Sequence, residues 1–89
     1  MASGVLNIIN EKGLHARASA KFVEVVEAFD ARADVSKDGE TVSGDSIMGL
    51  LMLGAARGSS ISVATDGLEA ENLLAALEKL VANRFGEDY

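Results

Sequence analysis

Apolar residues recur along this chain at two different periods, and the changes of period fall at glycines or Asp-Gly pairs. From Val5 to Asn10 they alternate, with Leu6 and Ile8 on one side and Val5, Asn7 and Ile9 on the other. That is a strand, and it stops at the polar loop Glu11-Lys12-Gly13. From about Ala16 to Phe29 the spacing becomes helical. Ala18, Phe22, Val25 and Phe29 form one stripe flanked by Val23 and Val26, and Ala16, Ala18 and Ala20 raise helix propensity near the start. Ala31 to Ser36 alternates again, and Lys37-Asp38-Gly39-Glu40 predicts a tight hairpin into a short return strand, Thr41 to Ser43. Ser46 to Leu53 reads as a short apolar helix capped by Asp45 or Ser46, with Gly54 placed to end it in the left-handed conformation. Gly49 inside it costs about 1 kcal/mol relative to Ala. Ser60 to Thr65 is a further strand with Ile61 and Val63 on one face, closed by Asp66-Gly67. Leu68 to Arg84 predicts the last helix, its face made by Ala70, Leu73, Leu74, Leu77, Leu80 and Val81. Glu69 and Glu71 in its first turn and Lys79 and Arg84 near its end suit the helix dipole. Gly86-Glu87-Asp88-Tyr89 is expected to be a frayed tail.

The order is therefore β-α-β-β-α-β-α. Short strands need one covered face in water, and three helices on one side of one sheet cover it most economically, an α+β open sandwich. The hairpin makes the second and third strands antiparallel; the pattern leaves the remaining strand order open.

Composition narrows the function. At 89 residues the chain is expected to be one domain, residues 1–89. Zero Cys excludes a disulfide framework and thiolate metal sites, and a lone His excludes a site needing two imidazoles, so no metal is expected. The net charge of −6, from 14 acids and 8 bases, disfavours nucleic acid and anionic membrane. Three Phe and one Tyr leave little for base stacking. No apolar run approaches the roughly 20 residues that span a bilayer. Met1 to Gly4 carries neither the basic region nor the apolar core of a secretion signal, and the missing Cys suits a reducing compartment, so the expected location is cytoplasmic.

The lone His sits where a loop becomes a helix, in Gly13-Leu14-His15-Ala16-Arg17. The leading amides of a helix, here those of Ala16 and Arg17, lack partners and carry the positive end of the dipole, which makes an anion site. The same field favours a neutral ring with a free lone pair. A neutral imidazole beside an anion site, with the Arg17 guanidinium at hand, can accept a phosphoryl group on a ring nitrogen. Set against this, a single His at a helix start is most often a surface or capping residue.

Gly13-Leu14-His15-Ala16-Arg17-Ala18-Ser19-Ala20 resembles the active-site signature of the HPr family, the histidine-containing phosphocarriers of the bacterial phosphoenolpyruvate-dependent phosphotransferase system. Gly44-Asp45-Ser46-Ile47-Met48-Gly49-Leu50-Leu51-Met52-Leu53-Gly54 resembles that family's regulatory serine segment, and both lie at the family's positions. The resemblance covers the whole chain. It implies an open-faced sandwich with a four-stranded antiparallel sheet, and a relay without turnover of its own that needs no cofactor, the pathway's magnesium serving enzyme I. It implies phosphorylation of His15 at its δ nitrogen (a pros-phosphohistidine), stabilisation by Arg17, and modification of Ser46 by an HPr kinase in bacteria that have one. The expected partners are enzyme I and enzyme IIA domains, met by a monomer. One departure stands out: the family usually has Pro after the Arg, where this chain has Ala18, which restores an N–H and loosens the helix start.

Ser46 is also a good N-cap with no regulatory role needed. Ile47, Met48, Leu50, Leu51, Met52 and Leu53 are too many apolar residues for one buried stripe. The resemblance places Ile47, Met48 and Leu51 on the surface beside His15 with Ala16, Arg17 and Ala20, a soft patch for docking partners. Asp45-Ser46-Ile47 is similar, too, to the Asp-Ser-Leu segment of acyl carrier proteins, whose Ser carries phosphopantetheine. Those are helical bundles, so sheet content separates the two readings.

Overall fold

The computed structural model describes residues 1–89. Alternation and turn chemistry set four strands: β1 (Ala2–Asn7), β2 (Arg32–Lys37), β3 (Glu40–Ser43) and β4 (Ser60–Asp66). They pair antiparallel in the order β1-β4-β2-β3. Asp38 and Gly39 both take positive φ, 51° and 85°, as a two-residue hairpin matching the strand twist requires. Three helices, α1 (Ala16–Glu27), α2 (Ile47–Met52) and α3 (Ala70–Ala82), cover one face. The architecture is the expected open-faced sandwich, and its four-stranded sheet removes the helical bundle of the acyl-carrier alternative.

The core lies between that sheet face and the helices. Leu6, Ile61, Val63, Ala33 and Val35 meet Phe22, Val26, Leu50, Leu73 and Leu77 there, all buried. The outer face carries small and polar residues: Val5, Ser62, Ser36 and Thr41 are register partners, and the Ser36 and Thr41 hydroxyls bond at 2.8 Å. Gly49 has a packing reason. A Cβ there would lie 3.0 Å from the Val42 Cβ and 3.1 Å from the Ser46 Oγ, so Gly lets α2 approach β3 closely.

Two expectations about the strands and the first helix need correction beyond shifts of a residue or two at element ends. β1 begins at Ala2, not Val5, and ends at Asn7, so Asn10 belongs to the loop. The small residues Ala2, Ser3 and Gly4 carry too little apolar signal to show as strand, yet pair with Thr65, Ala64 and Val63. On α1 the buried set is Ala18, Ser19, Phe22, Val23 and Val26, while Val25 and Phe29 sit at its edge. The stripe is turned because Ser19 is drawn inward, its hydroxyl donating to the Leu14 carbonyl at 3.3 Å.

Candidate functional site

His15 is delivered by a loop that has little freedom. The Gly13 N–H donates to the Asn10 carbonyl at 3.2 Å, and the Leu14 N–H donates to the Ala55 carbonyl at 2.9 Å. The Leu14 side chain is buried. Gly13 has φ 66°, and a Cβ there would stand 2.5 Å from the Ala55 oxygen, so only Gly fits between this loop and the segment after α2. His15 follows as the N-cap residue of α1, with extended backbone at φ −79° and ψ −176°. The Ser19 N–H donates to the His15 carbonyl at 2.8 Å as the first bond of the helix. The amides of Ala16, Arg17 and Ala18 have no backbone partner, and of these residues Ala16 and Arg17 are exposed where an anion can approach while Ala18 is buried.

The ring is half-buried, with 25% of the side chain exposed. Its Nε2 is bonded to the Glu87 carboxylate. Nδ1 makes no hydrogen bond in the protein and is not enclosed. Glu87 is itself held: the Asn10 side-chain amide donates to Glu87 Oε1 at 3.0 Å and to the Gly13 carbonyl at 2.8 Å. Both neighbours are acceptors, so the amide nitrogen must face them. Asn10 is fully buried, and its Oδ1 has no partner. Desolvation pushes the Glu87 carboxyl up, but hydrogen bonds from Asn10 and His15 and the charges of His15 and Lys12 outweigh it, holding the group below the ordinary carboxylate value.

Glu87 reaches the ring because the last residues are not frayed. Arg84–Gly86 forms a tight turn with φ of 54°, 54° and 79°. Phe85 is buried in the core at 1% exposure. The Lys21 ammonium donates to the Phe85 carbonyl at 2.7 Å, and the Glu11 N–H donates to the Tyr89 carbonyl at 3.0 Å. The signal that identifies this anchor is Phe85 itself, a large apolar residue just after the last helix; a single Glu in a polar tail carries none.

Arg17 is exposed, and its guanidinium forms no ion pair. It lines a cleft of about 370 Å³ with Lys12 and Lys21, facing Glu11, Glu87, Asp88 and Tyr89. His15 does not line that cleft; Glu87 stands between them. No group of three His, Cys, Asp or Glu side chains is placed to hold a metal ion.

Ser46 caps α2, its hydroxyl accepting from the Gly49 N–H at 3.0 Å. Leu50 and Leu53 fill the core. Ala16, Ile47 and Met48 are exposed, while Ala20 and Leu51 are half-buried. Helices α1 and α2 pack against each other, which puts these residues on adjoining elements. Met52, at 74% exposure, is more open than Leu51. No helix is long and apolar enough to cross a membrane.

The family profile "PTS HPr component phosphorylation site" matches residues 2–83. The "Phosphocarrier protein HPr" of Cupriavidus necator is 46% identical over 80 residues, 90% of each chain. That of Neisseria meningitidis is 45% identical over 82 residues, 92% of each. The crystal structure of HPr-C-His from Thermoanaerobacter tengcongensis superposes with a TM-score of 0.95 at 35% identity, covering 100% of both chains.

Proposed function

The chain belongs to the HPr family of phosphocarriers of the phosphotransferase system, and from that premise we propose that His15 takes a phosphoryl group from phosphorylated enzyme I and passes it to a histidine of an enzyme IIA domain. One observation carries this reading above the others: Nδ1 makes no hydrogen bond while Nε2 is engaged, and the ring belongs to the N-cap residue of α1, whose exposed leading amides, those of Ala16 and Arg17, are unpartnered. The Nδ1 lone pair attacks phosphorus, the donor's leaving atom keeps the electron pair of the bond that breaks, and the amides take the transferred oxygens. The unpaired Arg17 guanidinium is free to swing onto the same oxygens. The carrier needs no cofactor for this. It works as a monomer, with residues 1–89 as one unit, in the cytoplasm.

Intact-mass spectrometry with enzyme I and phosphoenolpyruvate tests the reading: one acid-labile phosphoryl group is expected, and an unmodified mass argues against it. Arg17→Ala is expected to keep the fold, since the side chain is exposed and unpaired, and to slow transfer roughly a hundredfold. Rapid-quench kinetics with both partners check this; rates equal to the parent's exclude Arg17 from the site.

Partner docking is assigned to Ala16, Ala20, Ile47, Met48 and Leu51, joined by Met52. Met48→Glu is expected to weaken enzyme I binding by about tenfold, about 1.4 kcal/mol, while stability moves by less than about 0.5 kcal/mol. Calorimetry and urea melts read the two quantities separately, and an unaltered affinity removes Met48 from the interface. Ser46 is proposed as the site modified by an HPr kinase where one exists. A phosphate there joins the N-terminus of α2 without unfolding it and places a dianion beside Ile47 and Met48, against an approaching partner.

A further inference from the structure

We propose that Met48 and Met52 form a paired oxidation site: a peroxide converts their thioethers to sulfoxides while α2 stays folded, and the modified face no longer accepts enzyme I. The proposal rests on the docking reading of α2. The chain has three Met and no Cys, so thioethers are its only sulfur groups open to oxidants. Met48 and Met52 stand four residues apart on α2, and residues at that spacing are neighbours on one helix face. Both are largely exposed, Met48 at 69%, so an oxidant in solution reaches them without any opening of the fold. Met1, also exposed, precedes the end of β1 that pairs with Thr65, the end away from the loop that carries His15.

The step is a two-electron oxygen transfer. A sulfur lone pair attacks one oxygen of the peroxide and the O–O bond breaks. The other oxygen leaves as water or an alcohol, taking the proton that the transferred oxygen sheds; sulfur is oxidised and the peroxide reduced. A flexible apolar side chain becomes a polar, chiral one. Folding is nearly indifferent to that change, because α2 is held by its opposite side. Leu50 and Leu53 are buried, the Ser46 hydroxyl caps the first turn, and Gly49 lies against Val42. The S–O groups stay in water. Docking is not indifferent: a partner that covers the pair must strip water from two strong acceptors and bury them without a donor. The sulfoxides remain accessible, so the two sulfoxide reductases, one per epimer, can return them to thioethers. Unlike a phosphate on Ser46, the modification carries no charge and needs no kinase.

Hydrogen peroxide treatment followed by peptide mapping is expected to place one oxygen on each of Met48 and Met52 at rates near that of free methionine, with circular dichroism unchanged. Enzyme I binding, read by calorimetry, is expected to weaken roughly tenfold and to return after incubation with both reductases. In the double variant Met48→Leu, Met52→Leu each treated sample is compared with its own untreated state. Peroxide then finds Met1 as the one remaining thioether, and the affinity of that variant is expected to be the same before and after treatment. Unaltered affinity in a chain carrying both sulfoxides, an equal loss in the double variant, a loss the reductases do not reverse, or oxidation only after unfolding overturns the proposal. An untreated chain that does not bind enzyme I overturns the docking reading and the proposal together, whereas a treated chain that binds as before overturns the proposal alone.

Discussion

His15→Ala is expected to gain no acid-labile phosphate from enzyme I and phosphoenolpyruvate, under conditions that load the parent chain. The reason is arithmetic as well as geometric. The sequence holds one His, so no other imidazole can stand in, and the amides that converge there have no reactivity of their own. Binding and charge stabilisation persist in the variant, but with nothing to attack phosphorus they leave only a weak anion site. Loss of the half-exposed ring leaves Glu87 with its Asn10 bond and with water in place of Nε2, so circular dichroism is expected to match the parent. Acid-labile phosphate retained by the variant would falsify the assignment of His15.

The second large effect is on stability and then on transfer. Phe85→Ala removes a fully buried ring from the end of the chain and is expected to cost about 3–5 kcal/mol. That is a large part of the roughly 5–15 kcal/mol that holds a typical domain. The ring also sets the turn whose carbonyl takes the Lys21 ammonium and whose next residues bring Glu87 to His15. Below the unfolding transition, phosphoryl uptake is therefore expected to slow as well. Urea melts check the first part and uptake kinetics the second. A melt displaced by less than about 1 kcal/mol shows that the tail is not anchored by this ring.

The sequence shows the elements because its periods are clear where long apolar side chains alternate or recur. Leu73, Leu77 and Val81 mark α3, Ile61 and Val63 mark β4, and the Asp38-Gly39 pair fixes the hairpin. It fails at Ala2, Ser3 and Gly4, which form a strand by backbone pairing with β4 and not by apolar content. The place of His15 at a helix start, with Arg17 just after it, is legible as a local pattern, but spacing alone favours a surface or capping His, and it is the resemblance that points to a phosphoryl acceptor. Glu87 and Asn10 are not, because their role comes from contacts across almost the whole chain. Asn10 looks like the end of a strand, and Glu87 like one acid among 14 acidic residues. Only the coordinates bring the two together around the imidazole.

That long-range stitch has a consequence for the order of assembly. The His15–Glu87 and Asn10–Glu87 bonds close over sequence separations of 72 and 77 residues. Synthesis delivers the imidazole 72 residues before its acceptor, and a chain folds as it emerges. A nascent chain that has made the residues of its sheet and first two helices still lacks the partner of the His15 Nε2. A chain made only as far as Ala82 holds the residues of all four strands and all three helices and still lacks the group bonded to the His15 Nε2.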